Sequence, residues 1–235
     1  MLSTFLNKIK NVKFSNREVY QILIVSLIVS LISSFRLWGD SGSVDVIYGF
    51  QNLILHFIFN SFVICVFIFS MKYYGSLKDL EVIFHYNKIG ILFSFLLALG
   101  TNGILRFYAL GFINMKMTDK RLGKINYKPN IDIYSKILFS GIISLIILLF
   151  LSSRLPSIFT NQIIILGICS LIPFPKNFGL FSVYSDFSHH LMMFLFFILV
   201  ALSFNFMPMI LSISFSIIVA FIISNFFSDK LLESI

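Results

Sequence analysis

Residues 89–113 read IGILFSFLLALGTNGILRFYALGFI, an apolar run long enough to cross a bilayer but interrupted by Gly100-Thr101-Asn102-Gly103, four residues that end helices or favour turns. The charges on either side decide how to read it. Lys72, Lys78 and Lys88 precede the run, and Arg106, Lys116, Lys120, Arg121, Lys124, Lys128 and Lys136 follow the turn. Lys and Arg collect on the cytoplasmic side of spans, so a full crossing would put one basic cluster on the wrong side. A hairpin folded at 100–103 keeps both on one side. Irregular backbone at membrane depth requires protein or a watery cavity around it, so this reading also demands neighbouring helices.

Those neighbours are plentiful. The chain has 235 residues, 58% hydrophobic and 12% charged, with a mean hydropathy of +0.94 and a net charge of +8. Soluble domains carry about 25% charged residues, which excludes that class. Further apolar runs lie near 20–37, 47–71, 137–151, 161–173, 187–205 and 207–227. With the hairpin not counted as a crossing, these predict an all-α polytopic membrane protein. It has about six transmembrane helices, one re-entrant hairpin and both termini cytoplasmic. Lys8, Lys10, Lys13, Arg17, Lys176 and Lys230 join the ten cations above, so sixteen of eighteen fall inside, leaving Arg36 and Arg154 outside. Residues 80–85, Leu-Glu-Val-Ile-Phe-His, are β-branched with partial alternation and predict a short strand leading into the hairpin.

The whole chain reads as one membrane domain. Within it, 1–17 is an amphipathic segment on the cytoplasmic surface, with Leu2, Phe5, Leu6, Ile9 and Val12 set against Lys8, Lys10 and Lys13, and 187–227 is a C-terminal helical pair. The first run, 20–35, is a retained anchor rather than a signal peptide, because Arg36-Leu37-Trp38 replaces a small-residue cleavage site. Cys65 and Cys169 lie in apolar surroundings and read as packing residues. Gly39-Asp40-Ser41-Gly42 copies a serine-protease phrase, but no soluble β-barrel accompanies it, so it reads as a turn. The basic 106–136 segment suits positive-inside sorting and anionic lipid contact. It lacks the interleaved aromatics of a nucleic-acid binder, so no nucleic-acid partner is expected.

Polar residues inside apolar runs are the functional candidates. His56 and Asn60 are one helical turn apart in the second run. Asn102 sits in the hairpin turn, Asn177 follows the proline tract, and Asp186 precedes His189 and His190 at the mouth of a later helix.

The tract Ser170-Leu-Ile-Pro173-Phe-Pro175-Lys-Asn-Phe178-Gly179 resembles the N-x-x-P-x-P-x-x-D-G of the site-2 protease family, the intramembrane zinc metalloproteases, in its divergent archaeal-type branch. Pro173, Pro175 and Gly179 are kept, while Ser170 and Phe178 replace the asparagine and the aspartate. Ser140-Gly141-Ile-Ile-Ser-Leu145 is similar to A-G-P-x-x-N, with Gly141 alone retained. Thr101-Asn102-Gly103, Arg121-Leu-Gly-Lys124 with Tyr127, Phe35 to Gly39 and Tyr74-Gly75 complete a likeness over about residues 30–185.

The resemblance implies a site-2-protease-like core whose zinc helix would carry H-E-x-x-H at Val63-Ile64-Cys65-Val66-Phe67. A second register, starting at His56, keeps one histidine only. The glutamate base is missing in both, and neither register keeps the pair of histidines. Zinc hydrolysis needs ligands with an open position and a carboxylate to take the water's proton. The implied protein is therefore a pseudoenzyme: no catalytic residue, no metal and no cofactor, with the lipid bilayer and a transmembrane helix of another protein as its partners. Two alternatives stay open. One is a small transporter or non-proteolytic membrane enzyme using the same cavity. The other is an active metalloprotease that recruits zinc through Asp186, His189 or His190.

Overall fold

The computed structural model describes residues 12–38, 45–117, 133–152, 155–204 and 216–217. Among these the chain is mostly helical. Three helices are long and apolar enough to cross a membrane: Asn16–Leu37, taken with its final 3-10 turn, Val46–Leu77 and Ile133–Leu151.

α1 (Asn16–Ser34) starts from a capping box. Ser15 Oγ accepts from the Glu18 N–H at 3.2 Å, and the Ser15 N–H donates to Glu18 Oε2 at 3.0 Å. α2 (Val46–Leu77) begins at Asp45, whose carboxylate accepts from the Tyr48 N–H. Its 32 residues span about 48 Å at 1.5 Å per residue, well beyond the ~30 Å of a bilayer's hydrocarbon core. The two helices run antiparallel. Asn52 Nδ2 donates to Leu37 O, Asn60 Nδ2 to Ser30 Oγ, and Lys72 Nζ to Glu18, so contacts step down one helix as they step up the other. The last of these is a buried ion pair of 2.8 Å, and Glu18 Oε1 also accepts the Phe84 N–H.

That bond ties α1 to the sheet. β1 (Leu80–Tyr86) and β2 (Gly111–Met117) pair antiparallel, with Leu80 opposite Met117 and Tyr86 opposite Gly111. Leu80, Val82 and Phe84 face inward. The predicted strand is thus present and one residue longer, but its partner departs from the all-helical reading. Between the strands α3 (Lys88–Gly100) leaves the sheet, turns at Thr101–Gly103 and returns through 104–110 without regular secondary structure. Asn102 (φ 49°) and Gly103 (φ 70°) hold the left-handed backbone that reverses the chain, and the Gly103 N–H closes the turn on Ala98 O at 2.7 Å. The return limb is laced to α3 by the Ala109 N–H on Ser94 Oγ. Both limbs end at the sheet, as the charge pattern predicts.

Arg106 does not follow that pattern. It lies on the return limb, three residues after the tip glycine Gly103 and two before Tyr108, whose hydroxyl bonds Ser33 at the far end of α1 from Glu18.

α4 (Ile133–Leu151) packs on α2 through reciprocal serines: Ser70 Oγ donates to Ser140 O at 2.7 Å and Ser140 Oγ to Ser70 O at 3.2 Å. α5 (Ser157–Leu171), α6 (Phe178–Ser185) and α7 (Phe187–Ser203) complete the described fold. α5 and α7, expected as spans, are shorter helices of 15 and 17 residues. The amphipathic 1–11, the turn at 39–44, the loop 118–132, Arg154 and most of the last apolar run lie outside the described residues.

Candidate functional site

The centre of the bundle is where α2, α4 and α6 meet. Val63, Ile64 and Phe67 lie on the inward face of α2, at 1%, 0% and 0% exposure. Phe178, the first residue of α6, is equally buried, and its ring meets that of Phe67 edge to face with centroids 5.4 Å apart. Phe84 of β1 stacks on its other side. Gly141 of α4 supplies the third wall. A Cβ there would lie 2.7 Å from Phe67 Cε2 and 3.0 Å from Met71 Cγ, so only glycine lets the helix approach so closely. Three stretches far apart in the chain, 63–67, 141 and 178, therefore converge on one point.

Zinc takes nitrogen, sulfur or oxygen donors, and the side chains of Val63, Ile64, Phe67 and Phe178 carry none; all four belong to the buried apolar core. Among the described residues no group of three His, Cys, Asp or Glu is placed to hold a metal ion. The histidines are dispersed. His56 bonds Gln162, His85 stacks on Phe112, His189 stands edge-on to Phe139, and His190 lies beside Phe194.

The proline tract makes a tight passage from α5 to α6. Pro173 and Pro175 lack an N–H, which prevents helix continuation, and Lys176 adopts φ 54°. The buried Asn177 turns back on α5. Its Nδ2 donates to Cys169 O at 2.8 Å and to Ile172 O at 3.3 Å, satisfying carbonyls that the helix end leaves open. A Cβ on Gly179 would collide with the Leu171 and Ile172 carbonyls, which accounts for glycine at that position. Phe174 projects between the limbs of the hairpin, stacked on Phe93 and edge-on to Phe107, with both centroid distances 5.4 Å.

One residue joins these parts, and sequence reasoning passes over it. Asn87 lies between β1 and α3. Its Oδ1 accepts the Gly90 N–H, its Nδ2 donates to Pro175 O at 2.7 Å, and its N–H bonds Leu110 O. An asparagine just before an apolar helical run is an N-cap signal, so the first bond was legible. The Pro175 bond spans 88 positions and has no local signature.

The polar candidates do not gather in one cavity. His56 pairs with Gln162 and Asn60 with Ser30, both pairs buried between helices. Asn102 is exposed at the hairpin tip, Asn177 is spent on α5, and Asp186 caps α7 by accepting the His189 N–H. A separate apolar groove of about 630 Å³ runs along the outer side of α2 between Gln51 and Phe62, closed by Leu155 and Phe159. The fold is that of a mostly helical chain with three membrane-length helices around an apolar centre. No protein-family model, no curated protein and no solved structure matches it.

Proposed function

We propose that this chain is a metal-free relative of the site-2 proteases that holds a transmembrane segment of another protein without cutting it. The observation that carries the reading is the contact of Phe67 with both Gly141 and Phe178. These are the positions at which the motif likeness aligns a zinc-helix histidine, the glycine of the preceding motif and the aspartate ligand. The likeness rests on kept residues and their order and spacing along the chain, so the convergence in space is independent support for it. It also favours the register at Val63–Phe67 over the one at His56, which faces Gln162 instead.

In this reading the three long helices and the shorter α5 and α7 cross the bilayer, the last apolar run adds a sixth span, and the hairpin is re-entrant with the sheet on the cytoplasmic side. The partner packs on α3. Ile89, Leu92, Leu96 and Leu99 recur at three- and four-residue spacing on its exposed side, the pattern by which a helix meets another helix. With no carboxylate or ligand at the apolar centre, a segment held on α3 is not hydrolysed.

The test is a photo-reactive amino acid at Leu96 in membranes, with metal analysis of the purified chain. Discrete membrane-protein adducts and no stoichiometric zinc are expected. Adducts to lipid alone would overturn the binding role. Zinc at one equivalent that disappears in His56→Ala would overturn the metal-free reading.

A further inference from the structure

The end of the bundle remote from the sheet gathers two arginines and the chain's single tryptophan. After α1 the chain makes a 3-10 turn, Phe35–Leu37, that carries the exposed Arg36. The hairpin tip presses on this turn. A Cβ on Gly103 would lie 3.1 Å from both Arg36 Cγ and Phe35 Cδ1. Three residues before Arg36, Ser33 shares a hydrogen bond of 3.1 Å with Tyr108 of the return limb, two residues beyond the half-buried Arg106. Ser33 and Arg36, about one turn apart, thus meet the return limb at Tyr108 and the tip at Gly103, and Arg106 lies on the short stretch of chain between those two contacts.

No carboxylate among the described residues pairs with either arginine. Glu18 is held by Lys72 at the opposite end, Asp79 and Glu81 lie at the sheet, and Asp186 caps α7. Asp45 accepts the Tyr48 N–H, and its own N–H bonds Trp38 O. His56 is taken by Gln162 and the Tyr108 hydroxyl by Ser33. The depth is that of a membrane boundary. Asn52, about 30 Å along α2 from Lys72, bonds Leu37, and the Trp38 ring lies across Gly49, as tryptophans do at headgroup level.

Guanidinium forks match phosphate oxygens bidentately and keep their charge at any working pH. Two of them at the headgroup level, with no acid among the described residues paired to them, call for an anion from the bilayer itself. We infer that Arg36 and Arg106 form a site for the phosphate of an anionic phospholipid in the leaflet at the hairpin tip. The lipid would clamp the tip onto α1 by bonding to both elements at once. This does not depend on the protein-binding role proposed above.

Trp38 is the reporter. The full chain is reconstituted in phosphatidylcholine vesicles containing a fixed fraction of either phosphatidylglycerol or phosphatidylcholine with brominated acyl chains, which quench nearby tryptophan. Brominated phosphatidylglycerol should quench Trp38 more strongly. Each of Arg36→Gln and Arg106→Gln should lower that preference about fivefold, with Trp38 emission in unbrominated vesicles unchanged. Lys116→Gln, on β2, should leave it intact. Equal quenching by the two lipids, or a preference that survives the double variant, would overturn the site. So would a preference lost equally in Lys116→Gln, which would mark diffuse charge attraction. Abolition by added inorganic phosphate would assign the arginines to a soluble anion. Absence of any lipid preference together with arginine-dependent capture of an acidic transmembrane peptide would assign them to a protein partner. Either result would refute the lipid proposal.

Discussion

Replacing Val63→His, Phe67→His and Phe178→Asp should turn the apolar centre into a zinc site, if the three positions occupy the places that the motif likeness gives them. Val63 and Phe67 are one turn apart on the same face of α2. The Phe67 and Phe178 rings face each other with centroids 5.4 Å apart. Zinc bonds of ~2.0–2.2 Å to nitrogen and oxygen allow one ion to sit between an imidazole at 67 and a carboxylate at 178. Ile64 is left in place because the family's glutamate is a base and not a ligand. The cost is large: loss of two buried phenylalanines removes about 3–5 kcal/mol each. Zinc binding in small structural sites supplies about 10–16 kcal/mol. The triple variant should therefore be unstable without zinc and recover with it. Metal analysis should give one zinc per chain, and thermal unfolding in detergent should be zinc-dependent, whereas Phe178→Asp alone should melt low and bind none. A triple variant that folds yet takes no more zinc than the unmodified protein would refute the register. If it does not fold at all, Val63→His with Phe67→His and Phe178→His supplies three donors while keeping a ring at 67 and 178, and absence of zinc there refutes it equally.

Three further outcomes follow from the packing. Lys72→Ala leaves the buried Glu18 carboxylate without its cation and should cost about 3–5 kcal/mol, while Lys72→Met combined with Glu18→Gln should recover most of it; an unchanged melting temperature for Lys72→Ala would contradict this. Asn87→Ala removes the bonds to Pro175 O and the Gly90 N–H, about 2 kcal/mol together. Hydrogen exchange should then rise at 88–94 and 173–178 and hold steady in α1 and α2, and a uniform rise would refute the hub. Gly141→Ala drives a methyl into the Phe67 ring and should destabilise by about 1–3 kcal/mol. Phe67→Leu should suppress that penalty, and simple additivity of the two changes would show that they do not touch.

What the sequence made legible was local. Apolar windows placed α1, α2 and α4, and Gly100–Gly103 placed the reversal of the hairpin, because helix breakers act within a few residues of themselves. β2 was hidden for a physical reason. Its first three residues, Gly111–Ile113, fall inside the apolar run 89–113, which absorbs them into a hairpin limb, although Ile113-Asn114-Met115-Lys116-Met117 alternates apolar and polar residues as a half-solvated strand does. Arg106 was counted with the cations of the sheet because charge counting follows chain order, yet four residues, 107–110, separate it from β2 and it stands nearer the hairpin's turn.

The polar candidates illustrate the harder limit. His56, Asn60 and Asn177 were singled out correctly as polar residues in apolar surroundings, and each is deeply buried. A cavity was expected because an unpaired polar group is costly in a dry interior. That cost only requires a partner, and the partner need not be a ligand. Gln162, Ser30 and the Cys169 carbonyl meet the requirement, the first of them 106 positions away from His56. Burial of a polar side chain is thus readable from one sequence, whereas its use is decided by which distant residue reaches it. At the centre the same logic works in reverse. Phe67 and Phe178 carry no polar mark, and only their spacing within two motifs gave any reason to look for them 5.4 Å apart.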